Sequence, residues 1–73
     1  MIMKHLRILD VLKSGEKTLE DISRETGISL METRRFLLRL SEQGKIESFE
    51  KDDMIYWRLK KKDEKEEEFK YRY

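Results

Sequence analysis

Gly27-Ile28-Ser29-Leu30-Met31-Glu32-Thr33-Arg34-Arg35-Phe36-Leu37-Leu38-Arg39-Leu40-Ser41-Glu42-Gln43-Gly44 reads as a capped helix fed by a three-residue turn. Glycine at 27 accepts the positive φ that ends one helix, and Ser29 can take a hydrogen bond from a free amide of the next. At about 100° per residue, Ile28, Thr33, Phe36, Leu37, Leu40 and Gly44 gather on one arc, which must be buried. Met31, Arg34, Arg35, Leu38, Arg39 and Glu42 then face outward. Between Ser29 and Lys45 four basic residues (Arg34, Arg35, Arg39, Lys45) stand against two acidic ones (Glu32, Glu42). Such a surface suits a polyanion.

Upstream, Thr18 is placed to cap a second helix, with Asp21 three residues on in the position of a capping-box acid. Leu19, Ile22 and Ser23 face the core, Ser23 where two closely packed helices admit only a small side chain, and Lys17-Thr18 can pair briefly as a strand. A first helix is expected from about Ile2 to Ser14, with Ile2, Leu6, Leu9 and Leu12 on one stripe and Gly15 as its stop. Met3, Ile8 and Val11 widen that apolar surface. Two accounts fit: a central helix buried on several sides, or a helix that also meets a second protomer.

After Gly44 the hydrophobic period changes from helical to alternating. Lys45-Ile46-Glu47-Ser48-Phe49 and Met54-Ile55-Tyr56-Trp57-Arg58-Leu59 read as strands around Glu50-Lys51-Asp52-Asp53, with Ile46, Ile55, Trp57 and Leu59 inward. The loop lacks glycine, so a four-residue connection built on a type I turn is expected. Trp57 reads as a core anchor, with stacking on a base as the alternative.

A chain of 73 residues supports one small domain, and with 37% apolar residues a lone protomer is marginal unless a partner covers more surface. Dimerisation is the expected remedy. Lys4, Arg7 and Asp10 interrupt the first apolar stretch, so neither a membrane span nor a signal peptide is expected. The absence of cysteine excludes disulfides and thiolate metal sites and suits a reducing, cytoplasmic compartment. Lone His5 has no partner residues for a metal site. A charged fraction of 45%, rich in Lys and Glu, points to a hot, thermophilic source. The charge is uneven: residues 1–28 sum to zero, 29–45 carry +2, 46–62 carry +1 and 63–73 carry −2.

Catalysis is not expected. There is no phosphate-binding glycine loop, no serine with a histidine and an acid at catalytic spacing, and the carboxylates lie in solvated runs. No cofactor, metal or small-molecule ligand is implied.

Taken together, Ile8-Leu9 and Leu12 before Gly15-Glu16, Thr18-Leu19-Glu20-Asp21-Ile22-Ser23, Thr26-Gly27-Ile28-Ser29, Leu37 and Leu40, then Gly44-Lys45-Ile46 and Tyr56-Trp57-Arg58-Leu59 resemble a winged helix-turn-helix domain. The resemblance covers roughly residues 5–60 and is to compact prokaryotic and archaeal regulators of the MarR and ArsR type. It implies an α+β, mostly α fold: three helices, a hairpin wing at 45–59, and a domain over 1–60 followed by a charged tail at 61–73. It further implies a cytoplasmic homodimeric regulator that binds double-stranded DNA, with the helix at about 29–43 in the major groove. By position Ser29, Leu30, Met31 and Arg34 would lie nearest the bases, Arg35 and Arg39 toward phosphates, and Lys51 and Arg58 on the wing; an amide at the start of the second helix could hold a phosphate. Leu30, Met31 and Glu32 depart from the small polar residues common at that place in the family.

A second class remains open, a winged-helix module that binds protein through exposed Met31 and Leu38 beside Arg35. In the tail, Glu66 with Lys70, Glu68 with Arg72, and Phe69 with Tyr73 stand at helical i,i+4 spacing. Either the tail is unstructured or Phe69, Tyr71 and Tyr73 pack on the first helix of this or a partner protomer.

Overall fold

The computed structural model describes residues 3–60. Three helices, α1 (Lys4–Leu12), α2 (Leu19–Thr26) and α3 (Leu30–Glu42), precede two antiparallel strands, β1 (Ile46–Lys51) and β2 (Met54–Leu59). This is the winged helix architecture. The charged tail and its helical spacing lie outside the described residues.

Both helix starts anticipated from sequence are capped as expected. Thr18 accepts from the Asp21 amide and Ser29 from the Glu32 amide, each at 3.2 Å. Gly27 ends α2 in the left-handed region with φ 77°, where its amide donates to the Ser23 carbonyl. A β-carbon there would be strained by that φ and would stand 3.7 Å from the Arg7 guanidinium.

The core is built from Ile8, Leu12, Ile22, Ile28, Leu37, Leu40 and Ile46, with Leu9, Leu19, Phe36, Trp57 and Leu59 packed against it. Thr33 is buried beside Leu37 and Leu40, as the phasing of α3 requires. Trp57 is half-buried against this core, which agrees with its role as an anchor.

The first helix is shorter and differently phased than expected. Its described part begins at Lys4 and ends at Leu12, and its inward ridge is Ile8 and Leu12, with Leu9 half-buried, while Leu6 is 46% exposed. Two apolar arcs overlap on this helix, and the one selected is the arc that α2, α3 and β2 can reach together. Ile2 lies outside the described residues.

The hairpin also departs from expectation. Its strands run on to Lys51 and begin again at Met54, paired Ile46 with Leu59 through Lys51 with Met54, so the loop is only Asp52-Asp53. Both aspartates have positive φ, 54° and 64°, as a type I′ turn demands. Aspartate is among the few L-residues that adopt this conformation readily, which is how the tight turn forms without glycine. Ile55, expected inward, is 51% exposed because the hairpin tip projects beyond the core. Nearer the base, Lys17 and Trp57 exchange backbone hydrogen bonds of 3.0 and 2.7 Å, so the segment before α2 joins the wing as a one-residue bridge.

Leu38 and Leu40 test the phasing of α3, since they are 49% and 2% exposed respectively. Leu40→Ala should cost about 2 to 5 kcal/mol through cavity formation, while Leu38→Ala should cost well under about 1 kcal/mol. Chemical denaturation of both variants measures this; equal costs would contradict the assignment.

Candidate nucleic-acid interface

The exposed side of α3 follows from the burial of its opposite side. With Thr33, Leu37 and Leu40 inward, Ser29, Leu30, Met31, Arg34, Arg35, Leu38 and Arg39 are all exposed, Met31 most of the apolar ones at 70%. No carboxylate among the described residues pairs with Arg34, Arg35 or Arg39. The three arginines nevertheless diverge. Arg34 borders a cleft of about 420 Å³ between α3 and the wing, lined also by Leu19, Leu38, Met54, Ile55 and Trp57. Arg35 and Arg39 border a hollow of about 140 Å³ on the other flank, with Glu32 and Phe36. Arg39 and Phe36 continue into a second hollow of about 230 Å³ shared with His5, Gln43 and Lys45.

The wing cations are placed differently. Lys51 and Arg58 lie on the hairpin face opposite Ile46, Trp57 and Leu59, with the stacked rings of Phe49 and Tyr56, whose centroids are 5.8 Å apart. Arg58 stands 4.5 Å from the Phe49 ring centre and bonds Glu47 at 2.8 Å. Lys51 stands 5.8 Å from the Tyr56 ring centre and bonds Glu16 at 3.1 Å, which raises the pKa of its ammonium. The fold therefore gathers the α3 residues on one exposed surface and sets Lys51 and Arg58 apart, each with an acidic partner.

Two residues outside the sequence-derived set bear on this surface. Lys4 of α1 bonds both carboxylate oxygens of Glu32 at 2.9 Å, neutralising the acid in the first turn of α3. Arg7 bonds the Thr26 carbonyl and so holds the turn between α2 and α3. A signal existed for the first: Ser29 and Glu32 have capping-box spacing, which marks Glu32 as a side chain that seeks a local donor. Nothing in the sequence pointed to α1 as its source. The start of α2, considered for a phosphate, is occupied by Glu20 and Asp21 in its first turn. Among the described residues no three His, Cys, Asp or Glu side chains converge as a metal site, and no helix is long and apolar enough to cross a membrane.

The model of the IclR helix-turn-helix domain matches residues 2–48. The chain belongs to that family. Its fold is that of a winged helix-turn-helix domain. Among solved structures it is similar to the homodimeric winged helix-turn-helix DNA-binding domain of a possible ArsR-family transcriptional regulator from Mycobacterium bovis, with 32% identity and a TM-score of 0.76 over 82% of this chain and 56% of that one. Lactococcus lactis ZitR, solved in complex with DNA, is 26% identical with a TM-score of 0.75 over 85% of this chain and 44% of that one. The chain thus spans about half the length of each of these two. The transcriptional regulator HlyU from Vibrio vulnificus, at 21% identity, shares the fold with a TM-score of 0.73 over 90% of this chain and 68% of that one. No curated protein matches the chain. The resemblance read from sequence extends to ArsR-type structures, while the family model that matches is that of the IclR domain.

Asp21 gives the start of α2 a measurable signature. The Thr18 hydroxyl, and after it the Arg24 guanidinium, hold the Asp21 carboxyl below its ordinary value of 3.8. A lowered folded value means that Asp21 contributes stability above pH 3.8, lost as pH falls through the folded value. In denaturation against pH, the advantage of the unaltered protein over Asp21→Asn should be full near neutrality and shrink in acid. An advantage that persists to about pH 2 would show that the carboxylate is not its source.

Proposed function

We propose that this IclR-type domain is a transcriptional regulator that seats α3 in the major groove of double-stranded DNA. The observation that carries the reading is the set of Arg34, Arg35 and Arg39, exposed and without acidic partners among the described residues, on the two flanks of the second helix of a helix-turn-helix. Ser29, Leu30, Met31 and Arg34 lie nearest the bases. Arg35 and Arg39 meet phosphates, and Lys51 and Arg58 of the wing reach the neighbouring backbone once released from Glu16 and Glu47. Leu30 and Met31 offer only apolar contact, so thymine methyls are what they can read. Residues 1–60 form the binding unit and 61–73 a charged appendage. The protein acts in the cytoplasm, and its Lys- and Glu-rich composition suits an archaeal or thermophilic source.

The DNA complex of ZitR supports this reading by its similarity in fold. Titration of random duplex at several salt concentrations tests it. Each phosphate contact adds about 0.9 to the slope of log affinity against log salt, so replacing Arg34, Arg35 and Arg39 with alanine should weaken binding and flatten the slope. Unchanged affinity and slope in a folded triple variant would remove α3 from the interface.

A second reading, a module that binds protein, has one observation in its favour: Leu38, Met54 and Ile55, each about half exposed, meet around the cleft between α3 and the wing. Loss of duplex binding in the triple arginine variant separates the two.

The homodimeric Mycobacterium bovis domain supports assembly as a pair. Met3 at the cap of α1 and Leu6 within it, 62% and 46% exposed, are the apolar surface offered to a partner. Sedimentation should find a dimer, whose recognition helices would reach half-sites about 34 to 36 Å apart. A 9.0 kDa monomer at high micromolar concentration would refute it.

A further inference from the structure

Two hollows adjoin on the α1 side of α3, with Phe36 and Arg39 lining both, as a shallow channel from Lys45 and Gln43 beyond the C-terminal end of the helix to Glu32 at its start. Its floor is the half-buried Phe36. Arg35, Arg39 and Lys45 stand on its rim, and Glu32, the acid at its far end, is already bound by Lys4. The channel is therefore cationic with an apolar base.

The chain itself supplies a matching segment. After β2 the Lys60 amide donates to the Lys45 carbonyl at 3.1 Å, so the chain leaves the described fold at the mouth of this channel. Lys61 and Lys62 follow, then Asp63, Glu64, Glu66, Glu67 and Glu68 with one cation, Lys65, among them, and Phe69 comes next. Nine positions separate Lys45, just beyond the end of α3, from Phe36, about 14 Å if taken at helical rise. Nine also separate Lys60 from Phe69, which covers that distance as a helix and exceeds it if extended.

We propose that residues 63–69 dock along this channel, their carboxylates on Arg35 and Arg39 and the Phe69 ring over Phe36, and so screen two of the arginines otherwise offered to DNA. The docking stands on the geometry of the channel. Only its consequence, competition with DNA, rests on the function proposed above. The tail then acts as a tethered polyanion, displaced by a duplex whose phosphates bind the same guanidinium groups.

The chain has no cysteine, so Lys70→Cys admits one nitroxide label beside the acidic run without removing a carboxylate. In the full chain, paramagnetic broadening should centre on Arg35, Phe36, Arg39 and Gln43. It should be lost when Asp63 is changed to Asn and Glu64, Glu66, Glu67 and Glu68 to Gln. Broadening centred on Met3 and Leu6, broadening that arises only between chains in a mixed labelled sample, or its absence would each overturn the proposal, as would its persistence in the amide variant. The amide variant should also bind random duplex several-fold more tightly at low salt, with the difference fading as salt rises. Equal affinity of the two forms would refute the screening. If neither form binds duplex, the DNA reading fails while the broadening result still decides the docking.

Discussion

The structure depends on the way the chain is held at Ile28. The Ile28 side chain is 4% exposed within the core, and its carbonyl accepts from the hydroxyls of Ser23 on α2 and Thr33 on α3. Its amide donates to the Thr26 hydroxyl, which in turn donates to the Ile22 carbonyl at 2.7 Å. The polar groups that a tight turn between two buried helices would strand are thereby satisfied, and no buried side-chain polar atom among the described residues lacks a partner. Leaving such a group unpaired costs more than a made bond contributes, so these small hydroxyl residues set the angle of α3 as firmly as the leucines beneath it. Arg7 extends the arrangement to α1 by bonding the Thr26 carbonyl.

That angle decides which charges remain available. Lys4, Lys17, Arg24, Lys51 and Arg58 have each found a carboxylate, four of them outside their own element: Lys4 with Glu32, Lys17 with Glu25, Lys51 with Glu16 and Arg58 with Glu47. Exposed pairs of this kind add little to stability. Their effect here is on the field, since pairing cancels charge over much of the molecule and leaves α3 as its cationic ridge. A chain with a net charge of +1 can thus present a basic face.

Much of this arrangement is legible in the order of the residues alone. The caps at Thr18 and Ser29, the stop at Gly27 and the burial of Thr33, Leu37 and Leu40 follow from local rules that need no knowledge of neighbours. Tertiary context decides the rest. Whether Leu6 or Ile8 of α1 points inward depends on where α2, α3 and β2 stand. The two-aspartate turn competes with a four-residue loop on terms set by strand register, and register follows from the docking of Ile46 and Trp57. The exposure of Ile55 reflects the length of the hairpin relative to the core, which alternation alone does not encode. The candidate site divides in the same way: the exposure of the α3 arginines is readable from helical phase, whereas the pairing of Glu32 with Lys4, and of Lys51 and Arg58 with their acids, needs the fold.

The arrangement of the arginines also constrains how α3 can meet DNA. Arg34 and Arg39 are separated by about 140° around the helix axis, one on the wing flank and one on the α1 flank, with Met31 and Leu38 between them. A helix lying in a major groove has phosphate ridges on both sides and base edges beneath. Cations on both flanks and apolar side chains on the crest match that cross-section, whereas a flat polyanion would leave one flank unused. Arg35 and Arg39 border the same hollow, so with α3 in a major groove they would grip one phosphate ridge together. Arg34 stands without a second arginine on its flank and nearer the start of the helix, which leaves its guanidinium free to turn toward a base edge. Guanine is the base whose two acceptors fit that fork. Specificity in such a helix would then rest on Arg34 and on methyl contacts at Leu30 and Met31, while Arg35 and Arg39 fix its depth in the groove.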